Sequence, residues 1–222
     1  MNKKVFLSVG HGGNDSGAIG NGFKEKDLNL SIALACQAEL TRHGVMVGIS
    51  RTKDENDPAV DEIKECNTFS PDVAVSVHNN AGGGDGAEVF HSITGSGKPL
   101  ADSILSEIVK IGQNSRGTKT RKNASGADYY GFIRQTKSIA VIVECAFIDN
   151  AKDIQVLNTE DRGKAMGVAI AKGVLKYLGI NPKPATLYRV QVGAYTSKQN
   201  ANKMKAKLES YGYKAIITEV KQ

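Results

Sequence analysis

The chain has 222 residues, of which 40% are apolar and 23% are charged, and a formal net charge of +6. This length and composition fit one full core with a small appendage, and they exclude a collagen-like, coiled-coil or disordered chain. No apolar run approaches the roughly 20 residues that cross a bilayer, so we expect no membrane insertion. The apolar run Val5-Phe6-Leu7-Ser8-Val9 is too short for the core of a signal peptide. We therefore expect synthesis in the cytoplasm without a signal peptide.

Positive charge is concentrated at the C-terminal end of the chain. Residues 181–222 contain eight Lys or Arg and two Glu, whereas residues 1–180 carry equal numbers of both signs. The segment Gly179-Ile180-Asn181-Pro182-Lys183-Pro184 is typical of a helix end followed by a stiff linker. The sequence thus predicts a first domain at 1–179, a linker at 180–186 and a basic module at 187–222. Such a module is expected to meet an anionic partner.

Apolar runs and helical periodicities alternate along the first domain. Runs of buried-strand type occur at Val5–Val9, Val45–Ser50, Val73–Val77, Ala87–His91 and Ile139–Val143. Helical spacing and end signals predict helices at Glu25–His43, Pro58–Phe69, Lys98–Ile111 and Thr159–Leu178. Residues 112–131 are polar and glycine-rich, which predicts a long surface loop. The alternation predicts an α/β fold, a twisted, mostly parallel sheet with helices on both faces.

The C-terminal module follows a simpler pattern. We predict a strand at Tyr188–Val192, a helix at Ser197–Tyr211 and a strand at Lys214–Val220. The helix carries an apolar stripe formed by Ala201, Met204, Leu208 and Tyr211. The module is therefore expected to be a small β-α-β unit.

The three cysteines, Cys36, Cys66 and Cys145, are odd in number and widely spaced. This argues against a disulfide framework and against a thiolate zinc cluster, and it predicts buried, reduced thiols. Cys145 follows Glu144 and is a conceivable nucleophile, but no sequence feature supplies a partner base.

Four polar residues occupy positions that suit a site at one edge of the sheet. His11, His78 and Glu144 each follow a predicted strand, and Glu25 begins the first helix. Ligands of such sheets bind beyond the carboxyl ends of the strands. Two imidazoles and a carboxylate suit a catalytic Zn²⁺, and a further carboxylate can act as general base. Each residue alone is a weak signal, and we assign structural roles to the other two histidines, His43 and His91.

A rival interpretation of Gly10-His11-Gly12-Gly13 is a nucleotide-binding loop or a simple tight turn. A dinucleotide loop opens directly into a helix, whereas about a dozen residues intervene here, so the nucleotide interpretation fails.

Four blocks together resemble the signature of the zinc-dependent N-acetylmuramoyl-L-alanine amidases (the amidase-3 family). They are Val9-Gly10-His11-Gly12-Gly13, Glu25-Lys26-Asp27-Leu28-Asn29-Leu30, Ser76-Val77-His78-Asn79-Asn80-Ala81 and Val143-Glu144-Cys145-Ala146-Phe147-Ile148-Asp149-Asn150. The resemblance covers about residues 3–178. It implies that His11, Glu25 and His78 hold Zn²⁺ and that Glu144 is catalytic.

The resemblance also has weaker parts. Arg51-Thr52 and Arg134 match family positions, and Asn80 and Arg134 are candidate substrate contacts. Two departures are Ser8-Val9, where the family usually has Asp-Pro, and Ala146, where it commonly has glycine. We expect only local changes from both.

The C-terminal module resembles one half of a sporulation-related repeat (SPOR) domain, a peptidoglycan-binding module. The matching phrases are Tyr188-Arg189-Val190-Gln191-Val192-Gly193-Ala194-Tyr195, Ala201 and Tyr211-Gly212-Tyr213. A complete module has two such halves, so an exposed strand edge predicts a homodimer in which two chains combine their modules. Few aromatic residues are present and the stacking pattern of RNA-binding sheets is missing, so we expect no nucleic-acid partner.

The implied function is zinc-dependent hydrolysis of the amide between N-acetylmuramic acid and L-alanine in bacterial peptidoglycan. Two alternatives remain open: a zinc peptidase or carboxypeptidase acting on wall peptides, and a non-catalytic wall-binding protein with a vestigial metal site. We expect action on the cell wall after release, either as a phage lysin or during lysis of a mother cell.

Overall fold

The computed structural model describes residues 3–181 and 190–220. Its internal contacts divide the chain into two units, Met1–Lys183 and Pro184–Gln222. The strands of the first unit are β1 (Lys4–Val9), β2 (Ile19–Gly20), β3 (Phe23–Lys24), β4 (Met46–Ile49), β5 (Val73–Asn80), β6 (Ala87–His91), β7 (Ser115–Lys119) and β8 (Ile139–Phe147). Its helices are α1 (Glu25–Arg42), α2 (Ala59–Phe69), α3 (Lys98–Val109), α4 (Gly131–Gln135), a 3-10 turn (Asp153–Val156) and α5 (Glu160–Tyr177).

Six strands form one mixed sheet in the order β4-β1-β5-β8-β6-β7. The four strands from β4 to β8 are parallel, whereas β6 pairs with β8 in the antiparallel sense and β7 runs parallel to β6. Strands β2 and β3 form a separate two-stranded ribbon. The predicted α/β fold with a mostly parallel sheet is confirmed.

Alternation of side chains along the strands divides the core between the two faces of the sheet. Val5, Leu7 and Val9 of β1 belong to a large cluster that includes the buried residues of α1, α3 and α5. Phe6, between them, belongs to a smaller cluster with residues of α2 and α4 on the other face. All three cysteines are buried free thiols, as predicted.

Three sequence predictions about this unit need correction. Strands β5 and β8 run on to Asn80 and Phe147, so His78 and Glu144 lie inside strands rather than at their ends. Residues 112–131, predicted to be a loop, contain strand β7. The polar sequence of these residues does not predict a strand, because an edge strand keeps one side in water and therefore needs few apolar residues.

Within its described residues, 190–220, the second unit contains one helix, α6 (Lys198–Ser210), close to its predicted bounds. The described residues 190–192 and 214–220 form no strand, which differs from the predicted β-α-β pattern. Val190 and Ile216 are 83% and 89% exposed, so their side chains find no partner surface in this short unit. Residues 182–189, which hold most of the predicted linker and the start of the first predicted strand, lie outside the described residues.

Helices in the described ranges 3–181 and 190–220 are all too short or too polar to cross a membrane.

Candidate metal and catalytic site

His11 lies in a tight turn directly after β1. Its backbone has a φ of 64°, a left-handed conformation that non-glycine residues rarely adopt. Nδ1 of His11 donates to Oδ2 of Asp15 over 2.8 Å, which orients the ring and leaves Nε2 aimed at Glu25, 3.2 Å from its Oε2. A strained backbone of this kind persists where surrounding contacts hold it in place, and such positions are common at functional sites.

Glu25 is the first residue of α1 and is buried. Its carboxylate is fixed from several sides. Oε2 accepts a hydrogen bond from the Ala18 amide over 2.9 Å, and Oε1 accepts from the Asn79 amide over 3.1 Å and from the Asn29 side chain over 3.3 Å. The helix start also favours a negative charge here. The position of this carboxylate is therefore set by the backbone.

His78 lies on β5, next to β1 in the sheet. Its Nδ1 donates to Oε1 of Glu25 over 3.1 Å. A Cβ placed on Gly10 would lie 2.1 Å from Cε1 of His78, so only glycine lets β1 end this close to the ring. Gly17, with a φ of +60°, plays a similar part, since a Cβ there would lie 2.5 Å from Oε2 of Glu25.

His11, Glu25 and His78 thus meet in one place, although 67 positions separate the first from the last. Each offers one ligand atom, and these atoms all lie within 4.8 Å of one another. Two imidazoles and one carboxylate are a common donor set for a catalytic metal ion that keeps an open position. The residues present therefore fit a metal ion.

Hydrogen bonds within this cluster shift the pKa values of all three residues. Burial acts to raise the pKa of Glu25, but hydrogen bonds from His11 and His78 outweigh it and hold that pKa well below its usual range. The hydrogen bond to Glu25 raises the pKa of His11 to about 9, against the effect of burial. Burial acts to lower the pKa of His78, and its hydrogen bond to Glu25 raises it overall. A metal ion at this place would displace these protons.

Glu144 lies on β8 beside this cluster. In the register of the sheet it is opposite His78 of β5 on one side and Glu88 of β6 on the other. Its Oε2 is buried and has no hydrogen-bond partner among the described residues. Burial raises the pKa of Glu144 to about 7. A carboxyl group with this pKa can accept and return a proton near neutral pH.

Arg51 braces the turn that carries His11, and it is almost fully buried. Its guanidinium donates to the carbonyls of Val9 over 3.1 Å and of Lys26 over 2.8 Å. The same side chain thus ties the end of β1 to the first turn of α1. Hydrogen bonds that involve a charged group typically contribute about 1.5–3 kcal/mol each, so loss of the guanidinium should loosen this turn.

The other residues singled out from the sequence have local partners. Asn80 donates to Oε1 of Glu88 over 3.0 Å, and Arg134 donates to the carbonyls of Asp128 and Tyr129. The structural assignment of His43 and His91 agrees with their hydrogen bonds, since each ring Nδ1 lies 2.8 Å from a backbone carbonyl.

Beneath the site, a buried polar cluster joins three elements. Ser8 of β1 donates to Oε2 of Glu62 on α2 over 2.9 Å, and its hydroxyl lies 2.9 Å from that of Ser76 on β5. Ser8 belongs to one of the two departures from the family pattern, so this departure has a partner on α2.

Glu62 gives a prediction about stability. Burial raises its pKa from 4.5 to about 7, against the hydrogen bond from Ser8, so the folded protein binds this proton more tightly than the unfolded chain. The resulting stability is present below pH 4.5 and is lost as the pH rises to 7, a change on the order of 3 kcal/mol. Glu62→Gln should remove this loss, measured as the free energy of unfolding in urea at pH 5 and pH 8. The exposed Glu160→Gln is the control, and an unchanged pH dependence in Glu62→Gln would contradict the prediction.

The sequence analysis missed several residues of the site. Asp15, Asn29 and Asn79 orient the cluster, but each is a common residue in a loop or beside a ligand and has no pattern of its own. Glu88 had a usable signal, because it is a lone charge in the apolar strand Ala87–His91.

An α/β sheet that presents a His-Glu-His cluster and a neighbouring buried carboxyl group has the donor set and the general base that a metal-dependent hydrolase needs. The chain belongs to the N-acetylmuramoyl-L-alanine amidase family Amidase_3, which matches residues 5–176, and residues 184–222 match the SPOR domain. The resemblance drawn from the four sequence blocks is thereby confirmed. The protein is an enzyme, an amidase of peptidoglycan.

Similar proteins support this assignment. The chain is 32% identical over 220 residues to the N-acetylmuramoyl-L-alanine amidase CwlM of Bacillus licheniformis, covering 96% of this chain and 84% of the relative. It is 35% identical over 193 residues to an endolysin of Bacillus phage SPP1, covering 82% and 69%. Among solved structures, the N-acetylmuramoyl-L-alanine amidase AmiC2 of Nostoc punctiforme is 28% identical with a TM-score of 0.73, covering 80% of this chain and 97% of that one.

Proposed function

We propose that this amidase uses Zn²⁺, held by His11, Glu25 and His78, to hydrolyse the amide between N-acetylmuramic acid and L-alanine. The observation that carries the proposal is the meeting of three ligand atoms within 4.8 Å. On the neighbouring strand lies a buried carboxylate oxygen of Glu144 that has no hydrogen-bond partner in the described part of the chain. In this proposal Glu144 is the general base.

Zinc at this place would supply a Lewis acid that polarises the carbonyl and makes water more acidic. The chain's own residues do the rest. Glu144 takes the proton of the attacking water and returns it to the nitrogen of L-alanine as the C–N bond breaks. Asp15 keeps the His11 ring in one orientation, as partners of metal-binding histidines generally do. Asn80 and Arg134 are proposed contacts of the substrate.

Two rival functions predict different products. A zinc peptidase would cut between amino acids of the wall peptide, and a wall-binding protein with a vestigial site would cut nothing. The test is digestion of purified peptidoglycan by zinc-loaded protein, with mass spectrometry of the fragments and a zinc measurement on the same sample. Peptides with a free L-alanine amino terminus, matched by intact glycan strands, are expected. Fragments cut elsewhere, or no fragments from protein with one zinc per chain, would overturn the proposal.

The C-terminal unit is proposed to hold the enzyme on peptidoglycan as a dimer. A match to the SPOR domain over residues 184–222 and exposed apolar side chains such as Val190 and Ile216 support this. Light scattering of the full chain at micromolar concentration should give twice the monomer mass. Ile216→Lys should give monomers, and a monomeric parent chain would refute the dimer.

We further propose that the enzyme reaches the cell wall after release from a cell, as a phage lysin or during mother-cell lysis. The likeness to a phage endolysin supports this setting.

A further inference from the structure

A second charged cluster borders the catalytic carboxyl group. Glu88, only 5% exposed, lies on β6 opposite Glu144, with the side chains of both on the same face of the sheet. Its Oε2 accepts hydrogen bonds from Nε of Arg116 over 2.8 Å and from Nζ of Lys119. These bonds hold the pKa of Glu88 below its usual range in spite of burial. A buried anion therefore anchors two cations of β7.

The hydrogen bond to Glu88 uses one of the three guanidinium nitrogens of Arg116. Its guanidinium also stacks over the ring of Phe147 at 4.9 Å from the ring centre. Within residues 3–181 and 190–220, the two terminal nitrogens of Arg116 make no hydrogen bond, and its side chain is 37% exposed. A guanidinium fixed through Nε on a partly exposed side chain, with its two terminal nitrogens making no hydrogen bond within the described residues, is arranged to bind a carboxylate in a bidentate way.

The position of these cations relative to Glu144 follows from the sheet. Strand β7 is two places from β8, and neighbouring strands lie about 4.8 Å apart, so Arg116 starts roughly 10 Å from the catalytic strand. This is the span of about three extended residues. Arg121, stacked 3.7 Å over the ring of Tyr129, adds positive charge in the same segment of chain.

The net charge of the cluster formed by Arg116, Lys119 and Glu88 indicates which part of the substrate can bind there. The cluster contains two cations and one anion, so its net charge is positive. The sugar units next to the scissile amide are uncharged, whereas the peptide stem carries carboxyl groups. This cluster on β6 and β7, called the basic edge below, is therefore complementary in charge to the carboxylates of the peptide stem and not to the uncharged sugars.

We propose that Arg116, supported by Lys119 and Glu88, binds a carboxylate of the peptide stem within about three residues of the scissile amide. This subsite rests on the proposed function, and it makes the enzyme selective for stems whose carboxyl group is free rather than amidated. Glu88 is a positioning residue, since it acts through the two cations.

The test uses two soluble muropeptides that differ only in the second residue of the stem, which carries a carboxylate in one and a carboxamide in the other. The zinc-loaded full chain should cleave the carboxylate form with about tenfold higher kcat/KM, mainly through a lower KM. Arg116→Gln should lose about tenfold on the carboxylate form and stay within twofold on the carboxamide form. Arg162→Gln, an exposed arginine on α5, is the matched control and should keep the preference.

The outcomes of this experiment distinguish failure of the proposed subsite from failure of the proposed function. Equal cleavage of both substrates by the parent enzyme, or an equal loss on both in a folded Arg116→Gln, overturns the subsite while the amidase proposal stands. Should Arg116→Gln fail to fold, Lys119→Met is the second variant, expected to reduce the same preference. Failure of the parent enzyme to cut either substrate at the sugar–peptide amide would instead overturn the proposed function.

Discussion

Replacing Glu144 with glutamine is expected to lower kcat at least 10²-fold and to leave zinc binding intact. Glutamine keeps the size of the side chain but cannot accept the proton of the attacking water. Because Oε2 of Glu144 is buried with no hydrogen-bond partner among the described residues, the neutral side chain should be no less stable there than the ionised carboxylate. The measurements are steady-state turnover of a muropeptide, zinc per chain and the melting temperature.

The control for this experiment is Glu160→Gln, which makes the same change at an exposed site on α5 and should keep full turnover. If Glu144→Gln turned over substrate within threefold of the parent rate, Glu144 would not be the base. A variant that lost its zinc together with its activity would place Glu144 among the metal ligands instead.

Gly10→Ala is expected to reduce zinc affinity and activity by 10²-fold or more. The new methyl group would lie 2.1 Å from the His78 ring, closer than any real contact, so the ring must leave its place. The backbone there also follows a core strand and cannot retreat, since the Gly10 amide is bonded to the Val77 carbonyl over 3.1 Å. Competition with a chelator measures the affinity.

Gly163→Ala supplies the matched control on α5. Its new methyl group meets only Oγ of Ser31 at 3.4 Å, and alanine favours a helix more than glycine does. That variant should keep its zinc and melt at the same or a higher temperature. If Gly10→Ala bound zinc as tightly as the parent chain, the His78 ring would have room to move. The close approach of Gly10 to that ring would then not be required for zinc binding.

Much of the first unit could be predicted from the sequence because its signals are local. Apolar runs such as Val73–Val77 and the helical periodicity from Glu25 onward correspond to the observed β5 and α1. The four site residues could be found because His11 directly follows β1, Glu25 begins α1, and His78 and Glu144 lie near the carboxyl ends of β5 and β8, where such sheets place their sites.

Features that depend on strand pairing could not be predicted. Strand β7 is polar, and its partners on β6 are set by a register that no local pattern encodes. The same holds for Glu88, whose position opposite Glu144 follows from the antiparallel entry of β6 into the sheet. In the C-terminal unit the sequence predicts a strand that the described part of the structure does not contain. The pattern around Ile216 favours a strand, whereas the described residues of this unit form none.

Strand β8 is the place where the sheet changes direction, with parallel neighbours on one side and the antiparallel β6 on the other. All three proposed metal ligands come from the parallel side, and the basic edge lies on the antiparallel side. With the subsite proposed for Arg116, substitutions in β6 and β7 would change the preferred peptide stem while the proposed metal ligands stay in place, so substrate preference and chemistry could evolve separately.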